Sequence, residues 1–340
     1  MLRRLTTLGL GLVLLAGCGT EGVRGIPADP GATSPETTEI TMADAQAAFD
    51  SLSDLADAWK DEDCAKVGQL TTGVESTVGR RVCAAAPGSS GPRTIGSHGR
   101  FQSARGLRGW GDPEFLLPAR QDGDDGAWFA VLAGKPRPAY FVFVRADGRW
   151  RLGAGPIPVV GKAPPAMDGV EGEVTDAAAD PGAAVGARLA PTRHVAFLTD
   201  PAGVNGKGVS GVRFASGDPM RGLLTELVGA PGRARPDHLS TDVRIEGPAR
   251  ALALPRGGSL VFHALRVVFS QRPGSGRSSL AHPRYRAADV RAFTGGTSAT
   301  VTGSEVLMLA TEVSEDNTMT TVGLRRVLAD IGEGADGGSG

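Results

Sequence analysis

The chain has 340 residues, and its 36 Lys and Arg stand against 37 Asp and Glu, a formal net charge of −1. That balance excludes the basic footprint of a nucleic-acid binder. The composition is globular, with 5% aromatics and 50 glycines, and the length suits one large or two medium domains behind a leader.

Arg3 and Arg4 precede an apolar run from Leu5 to Leu15, broken only by Thr6, Thr7, Gly9 and Gly11, and then comes Leu15-Ala16-Gly17-Cys18. A basic start, a short apolar stretch and small residues before a cut describe a secretory signal. The run is shorter than the ~20 residues a bilayer span needs. A Cys directly after Leu-Ala-Gly resembles the bacterial lipoprotein box, in which the Cys thiol receives a diacylglycerol before cleavage in front of it. The resemblance implies a signal peptide over 1–17, peptidase recognition at Leu15, Ala16 and Gly17, and lipidation at Cys18. The competing readings are an ordinary signal with a chance Cys, and a buried helix. Each buried methylene contributes about 0.8 kcal/mol, so two or three acyl chains hold a protein durably. The expected location is the outer face of the cytoplasmic membrane, lipid-anchored and extracellular, with the membrane a partner through Cys18.

Residues 18–39, after the lipid site, are Gly, Pro, Thr, Glu and Asp with few large apolar side chains, which reads as a flexible stalk. Residues 332–340 read as a frayed tail. Cys64 and Cys83 remain for an oxidising compartment, and one disulfide between them is expected. Such a loop closure contributes about 3 kcal/mol. Two free thiols or a metal pair are the alternatives, although two Cys without a nearby His pair make a poor zinc site.

From Thr41 the pattern is helical: Ala45, Phe49, Leu52, Ala56 and Trp59 share one face, with Thr41 as N-cap and Asp44 in the first turn. A shorter helix follows over Cys64–Leu70, and a third over Val74–Ala85. Pro87–Gly99 reads as a loop. The period then changes to strands at Phe115–Leu117, Ala127–Leu132, Ala139–Arg145 and Arg149–Leu152. Asp147-Gly148 between two apolar runs is a strong hairpin signal. Residues 156–183 read as a linker. The second half, 184–331, repeats the order: helices near Arg193–Leu198 and Met220–Val228, then strands at Leu239–Ile245, Arg250–Leu254, Ser259–Phe269, Val290–Phe293, Ser298–Ser314 and Thr318–Asp330. Arg256-Gly257-Gly258-Ser259 marks a tight turn, and Asp316-Asn317 the last hairpin. Helices followed by antiparallel strands, twice, predict α+β units over 40–155 and 184–331.

The helix Thr41–Lys60 with Trp128–Leu132, Tyr140–Arg145 and Arg149–Leu152 resembles the nuclear transport factor 2-like, or cystatin-like, α+β cone. The whole chain resembles an uncharacterised lipoprotein family of high-GC Gram-positive bacteria with two such units in tandem. The resemblance implies helices packed in the concave face of a curved antiparallel sheet in each half, with the second unit the weaker match.

Chemical motifs are sparse. His98, His194, His238, His263 and His282 show no H-E-x-x-H spacing, and G-x-S-x-G is absent. Lys207 is followed by Gly208 rather than Ser or Thr, so a phosphate cradle at Gly203–Gly208 is not expected. Asp122, Asp124 and Asp125 lack the ligand series of a calcium loop and read as a solvated hairpin tip. No metal or cofactor is expected. Trp59, Trp128, Tyr140 and His263 are the candidate cavity residues, with core packing the plainer reading. Arg272, Arg277, Arg284 and Arg286 form a candidate loop for anionic lipid headgroups or wall polymers, with a solvated mobile loop the plainer reading. The expected function is a non-enzymatic binding or interaction module for a small ligand, cell-wall component or envelope protein. The alternative is a cone-fold hydrolase or isomerase, which needs a cavity acid/base with a second polar group in reach. A third reading is a purely structural docking role.

Overall fold

A computed structural model describes residues 40–85, 107–118, 126–161, 163–167, 181–200, 202 and 212–334, with the backbone of short strands at 93–95, 101–103 and 173–174. Leu15, Ala16, Gly17 and Cys18, the stalk, His98, the acidic turn at 122–125 and Gly203–Gly208 lie outside the described residues. No helix among the described residues is long and apolar enough to cross a membrane.

The class is α+β, with helices packed on two curled sheets. The helical pattern from Thr41 becomes α1 (Met42–Asp50) and α2 (Leu52–Lys60), interrupted only at Ser51, whose Oγ donates back to the Ala48 carbonyl at 2.6 Å. Thr41 caps α1 by accepting from the Asp44 N–H at 3.1 Å, an interaction of about 1 kcal/mol. α3 (Cys64–Leu70) begins at an Asp63 cap, and α4 (Gly73–Ala85) follows. The disulfide joins Cys64 to Cys83 as expected, with Cα atoms 5.7 Å apart, and pins α3 to α4.

Strands β1 (Arg93–Ile95) and β2 (Phe101–Ser103) lie within and after the stretch expected as a loop, and they extend the larger sheet. The smaller sheet has order β6-β5-β4-β3-β7, formed by β3 (Gly111–Pro118), β4 (Trp128–Lys135), β5 (Ala139–Ala146), β6 (Arg149–Pro158) and β7 (Glu173–Val174). Asp147 and Gly148, both at positive φ, turn β5 into β6 as the sequence predicts. Alternation divides this sheet. Phe141 meets Phe49 of α1 edge-on at 5.8 Å on one face, while Trp128 and Tyr140 meet Phe262 at 6.2 and 5.4 Å on the other.

Phe262 belongs to the larger sheet, order β2-β1-β12-β11-β10-β9. Its long strands are β9 (His238–Ala253), β10 (Ser259–Arg272), β11 (Val301–Val313) and β12 (Thr318–Glu333), with short β8 (Arg213–Phe214) parallel to β12. α5 (Pro181–Leu198) and α6 (Pro219–Arg233) cover its other face through Phe197, Leu223, Leu227, Val267 and Leu309. The described layers therefore run helices, small sheet, large sheet, helices, with α4 beside the small sheet and in direct contact with β12 of the large one. Leu260, Phe262 and Ala264 share one core with Trp128, Tyr140 and Trp59, so the two halves of the chain meet in a common interior.

Three further elements differ from expectation. Val290–Phe293 is not a strand but part of α7 (Ala287–Thr294), ended by Gly295 in the left-handed conformation. A four-residue apolar run carries no period that separates helix from strand. Leu239–Ile245 and Arg250–Leu254 are one strand, β9, carrying a bulge: Phe262 pairs with Arg250 and Ala264 with Glu246, so Gly247, Pro248 and Ala249 stand opposite His263 alone. The helix at Arg193–Leu198 is the end of α5, whose start is masked in sequence by Gly182, Gly186 and Pro191.

Candidate functional site

The bulge in β9 opens the seam between the two sheets. Beside it lies a cleft of about 240 Å³. One wall is the first turn of α4 with β5 and β6, contributing Val74, Val142, Val144 and Ile157; the opposite wall is β9 and β10, contributing Glu246, Gly247, Arg250 and Phe262. The volume accommodates on the order of eight water-sized groups at about 30 Å³ each.

The walls are mostly apolar, so the charges decide the chemistry. Both Glu246 oxygens are taken by Arg266, whose Nε and Nη2 donate at 2.8 and 2.9 Å. Those hydrogen bonds hold the Glu246 carboxyl below its usual pKa against a smaller opposing effect of burial. Arg250 differs. It is partly buried, its side chain makes no hydrogen bond or ion pair with any described residue, and burial alone lowers its pKa. A guanidinium taken out of water without a counter-charge is costly, and an anion from solution removes that cost. The cleft thus carries one uncompensated positive charge beside an aliphatic and aromatic wall.

A second arginine on the same sheet face shows the compensated case. Arg325 of β12 is buried and meets Glu75 of α4 and the Gly155 carbonyl, and the Gly155 N–H donates to Glu75 at 3.1 Å. Burial pushes the Glu75 pKa up, opposed by the Arg325 charge and the Gly155 N–H. Gly155 sits at φ +141°, and a Cβ there would strike Phe141, so this clamp requires glycine.

Of the candidate cavity residues, His263 contributes to the cleft wall at the bulge. Its ring centroid lies 4.7 Å from that of His194 on α5. His194 Nδ1 is 3.0 Å from the Ala190 carbonyl oxygen, so that nitrogen carries the proton. The other three ring nitrogens of the pair have no hydrogen-bond partner among the described residues. Burial lowers the His194 pKa to about 4, and burial with the His194 charge lowers His263 well below its ordinary value. Both rings are neutral at pH 7. Trp59, Trp128 and Tyr140 are instead core residues, 3%, 7% and 1% exposed, and none contributes to this cleft.

The basic segment divides. Arg272, Arg277 and Arg286 are exposed. Arg284 turns inward: its guanidinium lies 3.4 Å above the Phe269 ring and donates to Glu305 at 2.8 Å. Arg326 and Glu226 complete that network, with bonds of 2.6 and 2.7 Å. The segment is further held by Asp237, which accepts from the Ala281 and His282 N–H groups at 2.8 Å each. Arg284 therefore serves the fold rather than an outer surface.

Arg250 and the Glu75–Arg325 pair were not foreseen from sequence. The one local sign of the cleft is Gly247-Pro248 inside a strand pattern, which marks a bulge. Comparison of the chain with protein-family models, with curated proteins and with solved structures yields no match.

Proposed function

We propose that this protein is a lipid-anchored extracytoplasmic binding module whose seam cleft takes a small amphipathic carboxylate. The uncompensated Arg250 beside the apolar wall of Val74, Val142, Ile157 and Phe262 carries the reading. An arginine fork fits a carboxylate with two parallel bonds, and the apolar wall fits a short hydrocarbon body. The membrane address rests on Leu15-Ala16-Gly17-Cys18. The Cys64–Cys83 disulfide supports an oxidising compartment. Each half is read as a nuclear transport factor 2-like unit, with the cleft at their junction, and an envelope protein as a further partner. Binding is favoured over cone-fold catalysis because Glu246, the one carboxylate of the described lining, has both oxygens bound to Arg266, and burial holds the His263 pKa well below its ordinary value, which makes that ring a weak base.

Calorimetric titration of the full chain with hexanoate and with hexanamide tests the cleft. Hexanoate binds, hexanamide binds at least about tenfold more weakly, and Arg250→Gln brings hexanoate down to the amide level, since a charge-assisted bond contributes roughly 1.5–3 kcal/mol. Equal binding of acid and amide refutes the carboxylate reading. The address has its own test: intact mass of the membrane-extracted protein shows a diacylglyceryl group on an N-terminal Cys18, and a chain still beginning at Met1 with a free thiol contradicts it.

A further inference from the structure

The large sheet carries a polar ladder on the face that bears Phe262. Towards the start of β9 and the end of β10 the cross-strand rows read Arg244–Arg266, Asp242–Val268, Ser240–Ser270 and His238–Arg272. The arginines of the inner rows each have a carboxylate: Arg244 meets Asp242 at 2.5 Å and Arg266 meets Glu246 at 2.8 Å; Arg81 of α4, outside the ladder, likewise meets Asp330 of β12 at 2.6 Å. At the outer rows the pattern stops. Ser240, Ser270 and Thr302 supply hydroxyls, His238 and Arg272 follow, and Arg235 joins them from the segment after α6. Arg235 and Arg272 have no ion pair among the described residues, and both are exposed. Asp237 also lies here, but its oxygens are bound by the Ala281 and His282 N–H groups, which outweigh burial and hold its pKa below the usual value. These side chains border an open trough of about 1200 Å³.

We infer that this trough is a binding site for a strand of phosphate-bearing polymer, independent of the seam cleft. Two guanidinium groups supply the charge, and the His238 ring with the Ser240, Ser270 and Thr302 hydroxyls supplies further hydrogen-bonding groups for phosphate oxygens. The hollow shape selects the source of the phosphate. Ser240 with Ser270 and His238 with Arg272 stand in successive rows of the sheet, and a flexible chain can follow that line of groups through the trough, whereas lipid headgroups present a broad sheet.

The test uses fluorescence anisotropy of the full chain with a labelled glycerol-phosphate oligomer, with inorganic phosphate and phosphatidylglycerol vesicles as the other probes. The oligomer binds, its affinity falls as salt is raised through the screening range, and Arg235→Gln with Arg272→Gln weakens it at least tenfold at unchanged Tm. Arg250→Gln leaves oligomer binding as in the unsubstituted protein, so failure of this site and failure of the cleft are read separately. Inorganic phosphate binds far more weakly than the oligomer, as a multisite trough requires. Absence of oligomer binding overturns the inference, and so does binding that the double substitution leaves intact. Vesicle binding lost in the double variant, in place of oligomer binding, overturns the polymer as the source and assigns the charge to lipid headgroups.

Discussion

Arg325 and Arg250 lie on the same face of the large sheet, with two strands between theirs, and differ in what answers their charge. Arg325 is buried against Glu75 and the Gly155 carbonyl. Arg250, half-buried at the cleft, faces apolar walls and a glutamate already bound elsewhere. The first arrangement has its carboxylate within the chain and fastens α4 and β6 to β12. The second has no partner among the described residues, and the proposed carboxylate would complete it. Burial of a charge is thus no guide to its role until its partners are counted, and the member of the pair without a partner among the described residues is the one the proposed site is built on.

The largest effect is expected where compensation is removed. Glu75→Ala leaves the Arg325 guanidinium buried without a carboxylate and costs about 3–5 kcal/mol by urea denaturation. A loss below about 1 kcal/mol breaks the comparison. Replacing both partners by apolar residues, Glu75→Leu with Arg325→Met, is far milder, which separates the charge from its packing.

Next in size is the histidine pair, where two buried polar rings avoid the problem by staying neutral. The unfolded chain takes up a proton at His194 near pH 6.5, the folded chain only near pH 4. The unfolded state therefore binds more protons between these values, and stability is full above about pH 6.5 and falls towards pH 4. The loss is about 3 kcal/mol at most from His194, and His263 adds in the same direction. His194→Phe flattens this slope in Tm against pH; an unchanged slope removes the pair from the explanation.

A smaller loss is expected at Asp218, a buried carboxylate satisfied by neutral donors. It caps α6 at the Met220 N–H (2.9 Å) and holds the Thr321 N–H (2.7 Å) and hydroxyl (3.0 Å) on β12. Asp218→Ala costs about 2 kcal/mol by the same denaturation series, through the lost cap and the unpaired Thr321 groups.

Arg250→Gln is expected to change stability least, by within about 0.5 kcal/mol or in the stabilising direction, because no side-chain hydrogen bond or ion pair among the described residues is broken. A loss comparable to that of Glu75→Ala would mean Arg250 is structural.

Much of the framework could be read from local pattern. The helical stretches that become α1 to α4, though not the break at Ser51, with the Asp147-Gly148 hairpin, the Gly257-Gly258 turn and the Cys64–Cys83 bridge, follow from caps, periods and turn residues acting over a few positions. The rest depends on distance in sequence. Arg250 reads as an ordinary strand arginine until the bulge at Gly247–Ala249 and the walls from Val74 and Val142 are known. Glu75 and Arg325 are 250 positions apart. Arg284 sits in a Gly/Ser/Pro/Arg stretch whose composition suggests solvent, and only Phe269 and Glu305 on distant strands draw it inward. α5 was obscured because Pro191 and its glycines depress helical propensity, while burial of Ala187, Ala190, Phe197 and Leu198 overrides it.

The most direct measurement is a crystal structure of the protein grown with 6-bromohexanoate, with anomalous scattering locating the bromine. The expected result is a bromine peak within the seam cleft between Val74 and Phe262, with the carboxylate in hydrogen-bonding contact with the Arg250 guanidinium. A cleft free of bromine at saturating ligand, or a carboxylate seated away from Arg250, would contradict the claim that this arginine is completed from outside.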